Sequence, residues 1–213
     1  MRSAGNARGR LAAADNYTPM TLHYCLLGLI VLTAHCLGRS DDRDRSPVDP
    51  DRETLLALPW QQFDQTQNSG WRVYVNPTRK EYLLAAKLIE DYLARHAELS
   101  PRQRVITHYH AAHQYIYRAV LTGEGTTRDA FPHLDKALVP APETAPSLDW
   151  NDMVISTKAF LMSDRATLLA VKKRVAALPP ESVRFLKSPN SPDELLSNLG
   201  KPYGSWFSKE KRN

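Results

Sequence analysis

An all-α array of antiparallel helix pairs is the fold this sequence predicts, and three observations predict it. Apolar residues recur at three- and four-residue steps through most of residues 78–199, the period of a helix with one buried face. The chain holds 15 prolines against 9 glycines, and the prolines cluster between those apolar runs, where they punctuate helices. The breaks between runs are short, so successive helices turn back on one another. At 42% hydrophobic and 24% charged residues, the 213-residue chain has the make-up of a globular domain.

The front of the chain reads differently. Residues 24–37 are mostly apolar, interrupted by Thr33 and His35, and Arg2, Arg8 and Arg10 precede them. A spanning helix needs about 20 such residues, so the length suits a secretory signal over residues 1–38. Cleavage after Gly38 places Cys36 and Gly38 where a signal peptidase inspects. A short uncleaved anchor is the alternative, and Met20 is a second candidate start. The run from Leu32 to Cys36 resembles a lipobox, which makes Cys36 a lipidation candidate, although His35 stands where a small residue is expected. Both cysteines, Cys25 and Cys36, lie in this segment. The cleaved chain would have no disulfide, no thiol nucleophile and no cysteine metal site. Residues 39–53 carry five Asp, four Arg, one Glu and two Pro, a composition that buries no face and reads as a solvated linker.

The helical domain is expected over residues 54–207. Residues 55–63 suggest a short helical or turn segment docking Leu55, Leu56, Leu58 and Trp60. Residues 64–69 read as a polar loop and 70–77 as briefly extended. The first long helix spans 78–99, with Tyr82, Ala85, Ala86, Ile89, Tyr92 and Leu93 on one stripe. Ser100 and Pro101 stop it and start the next, as N-cap and first helical residue. That helix spans 102–121, through Val105, Tyr109, Ala112, Ile116, Ala119 and Val120, until the glycines at 123 and 125 break it. Thr127 is the expected cap of a shorter helix carrying Ala130, Leu134 and Ala137, although Pro132 falls just past its first turn.

After a Pro/Ala loop over 139–147, residues 148–162 form a helix with Trp150, Met153, Val154, Thr157, Phe160 and Leu161 on its stripe. Ser163 and Asp164 break the chain and cap a helix lined by Leu168, Val171, Val175 and Leu178, which Pro179 and Pro180 end. Pro192 opens a last short helix through Leu199, and residues 208–213 are a basic tail. Gly125, Ala130, Leu134, Ala137 and Pro142 sit at the offsets of a tetratricopeptide second helix. Arg118 occupies the small position of the first helix, so the array is tetratricopeptide-like rather than a true repeat.

Three segments carry a wider resemblance: SPRQRVITHYHAAHQ from Ser100, WNDMVISTKAFLMSDRATLLAVKKRVA from Trp150, and NLGKPYGSW from Asn198. Together they resemble a family of exported bacterial tetratricopeptide-like proteins, usually left without an assigned function. The resemblance covers about half of the cleaved chain. It implies that fold and export, to the periplasm or otherwise outside the cytoplasm, and it implies no substrate and no catalytic residue.

Function is read by elimination and then by shape. The formal charge is +5, and removing residues 1–38 leaves about +3, too little and too scattered for nucleic acid. No nucleotide loop and no serine elbow is present. His108, His110 and His113 share one helix, yet zinc requires three or four converging ligands. His110 and His113 share a face, whereas His108 points roughly 200° away from His110. No catalytic residue, metal ligand or cofactor is therefore assigned. The expectation is a non-catalytic envelope protein that binds a protein or peptide partner in a groove between helix pairs. His110, His113, Gln114, Tyr117, Trp150 and Asn151 are the groove candidates. An immunity protein against a secreted toxin is one specific form. A periplasmic metal-binding protein or hydrolase built on the histidines of helix 102–121 is the alternative. Membrane contact is expected only through the signal, an anchor or lipid.

Overall fold

A computed structural model of the chain describes residues 51–140, 146–178 and 190–207. The signal segment, Cys36, all but the last three residues of the charged linker, Pro142, Pro179, Pro180 and the basic tail lie outside the described residues. The described residues are helical and contain no strand. None of their helices is long and apolar enough to cross a membrane. Among the described residues seven α-helices follow in order: α1 (Arg52–Leu56), α2 (Tyr82–Arg95), α3 (Pro101–Tyr117), α4 (Phe131–Lys136), α5 (Pro146–Leu161), α6 (Arg165–Ala176) and α7 (Pro192–Ser197).

Local chemistry sets most of the boundaries. Ser100 accepts from the Gln103 amide while the Gln103 side chain accepts from the Ser100 amide, and Pro101 occupies the first helical position. This reciprocal box satisfies two donors that a helix start otherwise leaves orphaned. Asp164 caps α6 by accepting from the Thr167 amide. Ser191 caps α7 through the Glu194 amide. The shorter helix starts differently from expectation. Thr126, not Thr127, makes the box with Asp129, and a 3-10 turn over Thr127–Ala130 leads into α4. Pro132 then lies in the first turn of α4, where its missing N–H costs no bond.

Residues 70–77 are not extended. Gly70–Tyr74 form a 3-10 turn, and Gly70 sits at φ +52° against the backbone of Phe63. A side chain there would collide with that backbone, so only glycine fits. The bend buries Trp71 and Tyr74, where a strand would have exposed one of two neighbouring side chains in alternation.

The long helices pair in opposite directions. Tyr82, at the start of α2, meets Tyr117, at the end of α3, with ring centroids 6.0 Å apart. At the other end Arg104 of α3 donates to the His96 carbonyl after α2, at 2.9 Å. Arg174, late in α6, likewise pairs with Asp152, early in α5. Two apolar clusters result. One joins Leu55, Leu56, Phe63, Trp71 and Tyr74 to the α2 residues Leu88, Ile89 and Tyr92. The other joins Tyr109, Ala112 and Ile116 of α3 to Leu134, Phe160, Leu168, Val171, Leu195, Tyr203 and Trp206. Helix α3 stands between them and is buried on nearly every side from Ala111 to Ile116.

Candidate functional site

The histidines of α3 radiate from the middle of the domain, and each meets a different element. His110 faces the N-terminal segment. Its Nδ1 lies 2.9 and 3.0 Å from the two carboxylate oxygens of Asp64, which sits in a π-turn over Gln61–Gln65 and is fully buried. The Trp71 indole N–H donates to the same carboxylate at 3.3 Å, the Gln65 amide donates at 2.5 Å, and the Arg72 guanidinium donates to the Asp64 carbonyl. Burial works to raise this carboxyl, but His110, Arg72 and Gln65 outweigh it and hold it below the usual carboxylate range. A buried anion with this many donors pins the N-terminal segment to α3.

His113, one turn on, reaches Tyr203 of the second cluster. Its Nδ1 lies 3.0 Å from the Tyr109 carbonyl and its Nε2 3.1 Å from the Tyr203 hydroxyl. Nδ1 must therefore carry the proton and donate, and Nε2 of the neutral ring competes with Asn190 Oδ1 for the single Tyr203 hydroxyl proton. Tyr203 also meets the Asn190 side chain at 2.7 Å, which reaches the Tyr109 hydroxyl at 3.3 Å. Burial pushes the His113 ring down to about 4, so it is neutral at pH 7. The same burial raises the Tyr203 and Tyr117 hydroxyls above the usual tyrosine range.

His108 turns toward α4. Its Nδ1 is 3.1 Å from Nδ1 of His133, whose Nε2 is 3.1 Å from Glu90 Oε1. Glu90 also accepts from Tyr115 at 2.5 Å and from Lys87 at 2.7 Å. Because His133 gives its Nε2 proton to Glu90, its Nδ1 accepts and His108 donates. The two ring centroids lie 5.3 Å apart, so the rings face each other almost head-on across the 3.1 Å nitrogen contact. That is the line of a hydrogen bond. Burial, then the neighbouring His133, Lys136 and Arg104, pushes His108 down to about 4. Among the described residues no group of three or more His, Cys, Asp or Glu side chains is placed to hold a metal ion.

The six groove candidates do not share one open face. His113 and Gln114 are buried. Gln114 donates to the His110 carbonyl at 3.3 Å, while its Oε1 has no partner. Trp150 donates to the Ala137 carbonyl at 2.7 Å and packs edge-on against Tyr109 at 5.2 Å. Asn151 brackets Val139, accepting from its N–H at 2.8 Å and donating to its carbonyl at 2.9 Å. Trp150 and Asn151 thus fasten the chain after α4 to α5. Tyr117 is partly buried between Tyr82 and His113. The space between α3 and α5 is filled by Tyr109 and Trp150, and His113 closes onto Tyr203 beside it.

Comparison with family models, curated proteins and solved structures returns no match.

A depression of about 280 Å³ opens elsewhere, lined by residues that include Leu58, Trp60, Tyr92, His96, Glu98 and Gln103. Phe63, Tyr92 and His96 stack in series beneath it, with centroids 3.7 and 4.0 Å apart. Trp60 is fixed by its bond to Thr107 at 2.9 Å and His96 by the Leu56 carbonyl at 2.9 Å. The depression lies just below the usual range of small-molecule pockets, roughly 300–1,000 Å³. Asp64 and this depression carry no sequence signature. Asp64 falls in a polar stretch with no helical period, and Trp60 reads as an ordinary docking residue.

Proposed function

We propose that this chain is an exported, non-catalytic helical protein that acts by binding a protein or peptide partner. Its helix pairs form a tetratricopeptide-like array of the exported bacterial family that its sequence resembles. The observation that carries the reading is the internal employment of the histidines, the residues best suited to chemistry. Both ring nitrogens of His96, His113 and His133 are engaged inside the domain. His108 and His110 each give Nδ1 to a neighbour. The fully buried Ala130 and Ala137 support the close helix approach that the array requires. Because the α3–α5 space is filled, the partner meets an outward surface. An immunity protein that blocks a secreted toxin is the form of this role that suits a small exported chain.

The test has two parts. Osmotic shock of the producing cells should release the processed chain or leave it membrane-tethered outside the cytoplasm. Amine-reactive cross-linking in those cells should convert the full chain to one discrete complex with another protein. Retention in the cytoplasm refutes export, and the absence of any such complex refutes partner binding.

One observation favours a second reading, a hydrolase on His110. Asp64 orients its Nδ1, and Nε2 has no partner among the described residues. An ester-cleaving activity abolished by His110→Gln with the fold intact would replace the binding role.

A further inference from the structure

The outer face of α6 is unlike the rest of the surface. Leu168, Val171 and Val175 turn inward and are buried. The opposite stripe, at helical spacing, is Ala166, Leu169, Ala170, Lys173 and Ala177, all exposed. Leu169 is 47% exposed, and Met162, in the turn that leads into α6, is 56% exposed; only four large apolar residues are so open among the described residues.

Charge sets this face apart as well. Residues 165–176 contain Arg165, Lys172, Lys173 and Arg174 and no acid. Lys172 and Arg174 are paired with Asp193 and Asp152 on the neighbouring α7 and α5. Arg165 and Lys173 meet no carboxylate among the described residues. Two cations with no carboxylate partner among the described residues therefore stand beside and within an exposed apolar stripe.

From this we infer that the outer face of α6 is the docking surface for an acidic amphipathic helix of a partner protein. The inference rests on the partner-binding role proposed above and names where and what it binds. The partner helix lays its apolar positions over Leu169 and Met162, and its Asp or Glu side chains meet Arg165 and Lys173. The stripe spans about 18 Å at 1.5 Å per residue, room for three turns of a partner. Ala166, Ala170 and Ala177 are too short to enter a lipid layer, but they let a second backbone approach closely. Leu169 and Met162 alone are a thin anchor for a membrane. Charge complementarity on this face steers the encounter and selects acidic partners over basic ones.

The experiment places a photo-cross-linking amino acid at Leu169 or Ala170 of the full chain in the producing cells and sequences the cross-linked peptides. The expected adduct is a partner segment with an apolar helical stripe flanked by Asp or Glu. Its yield should fall roughly tenfold in an Arg165→Glu, Lys173→Glu chain whose circular dichroism and melting temperature are unchanged. A discrete complex by amine-reactive cross-linking, with no protein adduct from α6, overturns this inference and leaves the partner-binding role standing. No complex by either chemistry overturns both. Adducts only to lipid, to residues 1–50 of the same chain, or to a segment without acids each overturn the inference.

Discussion

Acidification from pH 6.5 to 4.5 should destabilise this domain, and His113 should account for much of the loss. Its ring is enclosed, its Nδ1 donates to the Tyr109 carbonyl and its Nε2 faces the Tyr203 hydroxyl, and burial disfavours the charged form. Its folded value lies near 4 against 6.5 when exposed. The sign follows from linkage. Between those values the unfolded chain binds a proton that the folded chain refuses, so stability is full above about 6.5 and falls as the pH drops toward 4. Each pH unit in that window costs about 1.4 kcal/mol, so the interval from 6.5 to 4.5 removes roughly 2–3 kcal/mol. Domains of this kind have about 5–15 kcal/mol in total. His108, also near 4, adds a smaller loss of the same sign because its ring is partly solvated. Asp64 and Glu90, both held below the carboxylate range, lose their contribution only at lower pH. The measurement is urea unfolding followed by circular dichroism at several pH values, for the native chain and for His113→Gln. The native chain should lose stability more steeply between pH 6.5 and 4.5, because the glutamine has no proton to gain. Equal slopes in the two proteins would refute the reasoning, whatever their absolute stabilities.

Three further outcomes are expected. Asp64→Ala strips Trp71 and His110 of a buried acceptor and should cost about 3 kcal/mol or more in urea unfolding; adding His110→Ala should cost less than the sum of the two single changes. Gly70→Ala forces both a left-handed residue and a collision with Phe63, and should lower stability by more than about 1 kcal/mol, with quenching changes at Trp71 reporting the displaced turn. Ser100→Ala removes one half of the capping box of α3 and should cost about 1 kcal/mol by thermal unfolding, recovered in part by Asp at the same position.

The sequence determined the helical class and most helix positions, because both rest on local physics. The three-to-four periodicity of α2 anticipated buried Ala85, Ala86, Ile89, Tyr92 and Leu93. Ser100, Pro101 and Asp164 marked helix starts because a cap bonds only to the next turn. The opposed directions of His108 and His110 also followed from the helical repeat, and the two do face different elements. Tertiary structure alone decided the rest. Leu88 lies off the simple stripe of α2 yet is buried, because the segment containing Phe63 and Trp71 covers a second side of that helix. Residues 70–77 read as extended until Gly70 meets the Phe63 backbone, a contact between two successive turns that no periodicity marks. His113 and Gln114 looked like groove residues because polar side chains on a helix usually face water. Here α3 is enclosed by both clusters, so both side chains are buried, and His113 meets a partner as far away in sequence as Tyr203. Periodicity tells which face of a helix is greasy; how many neighbours cover that helix depends on contacts across the chain, which no local pattern encodes.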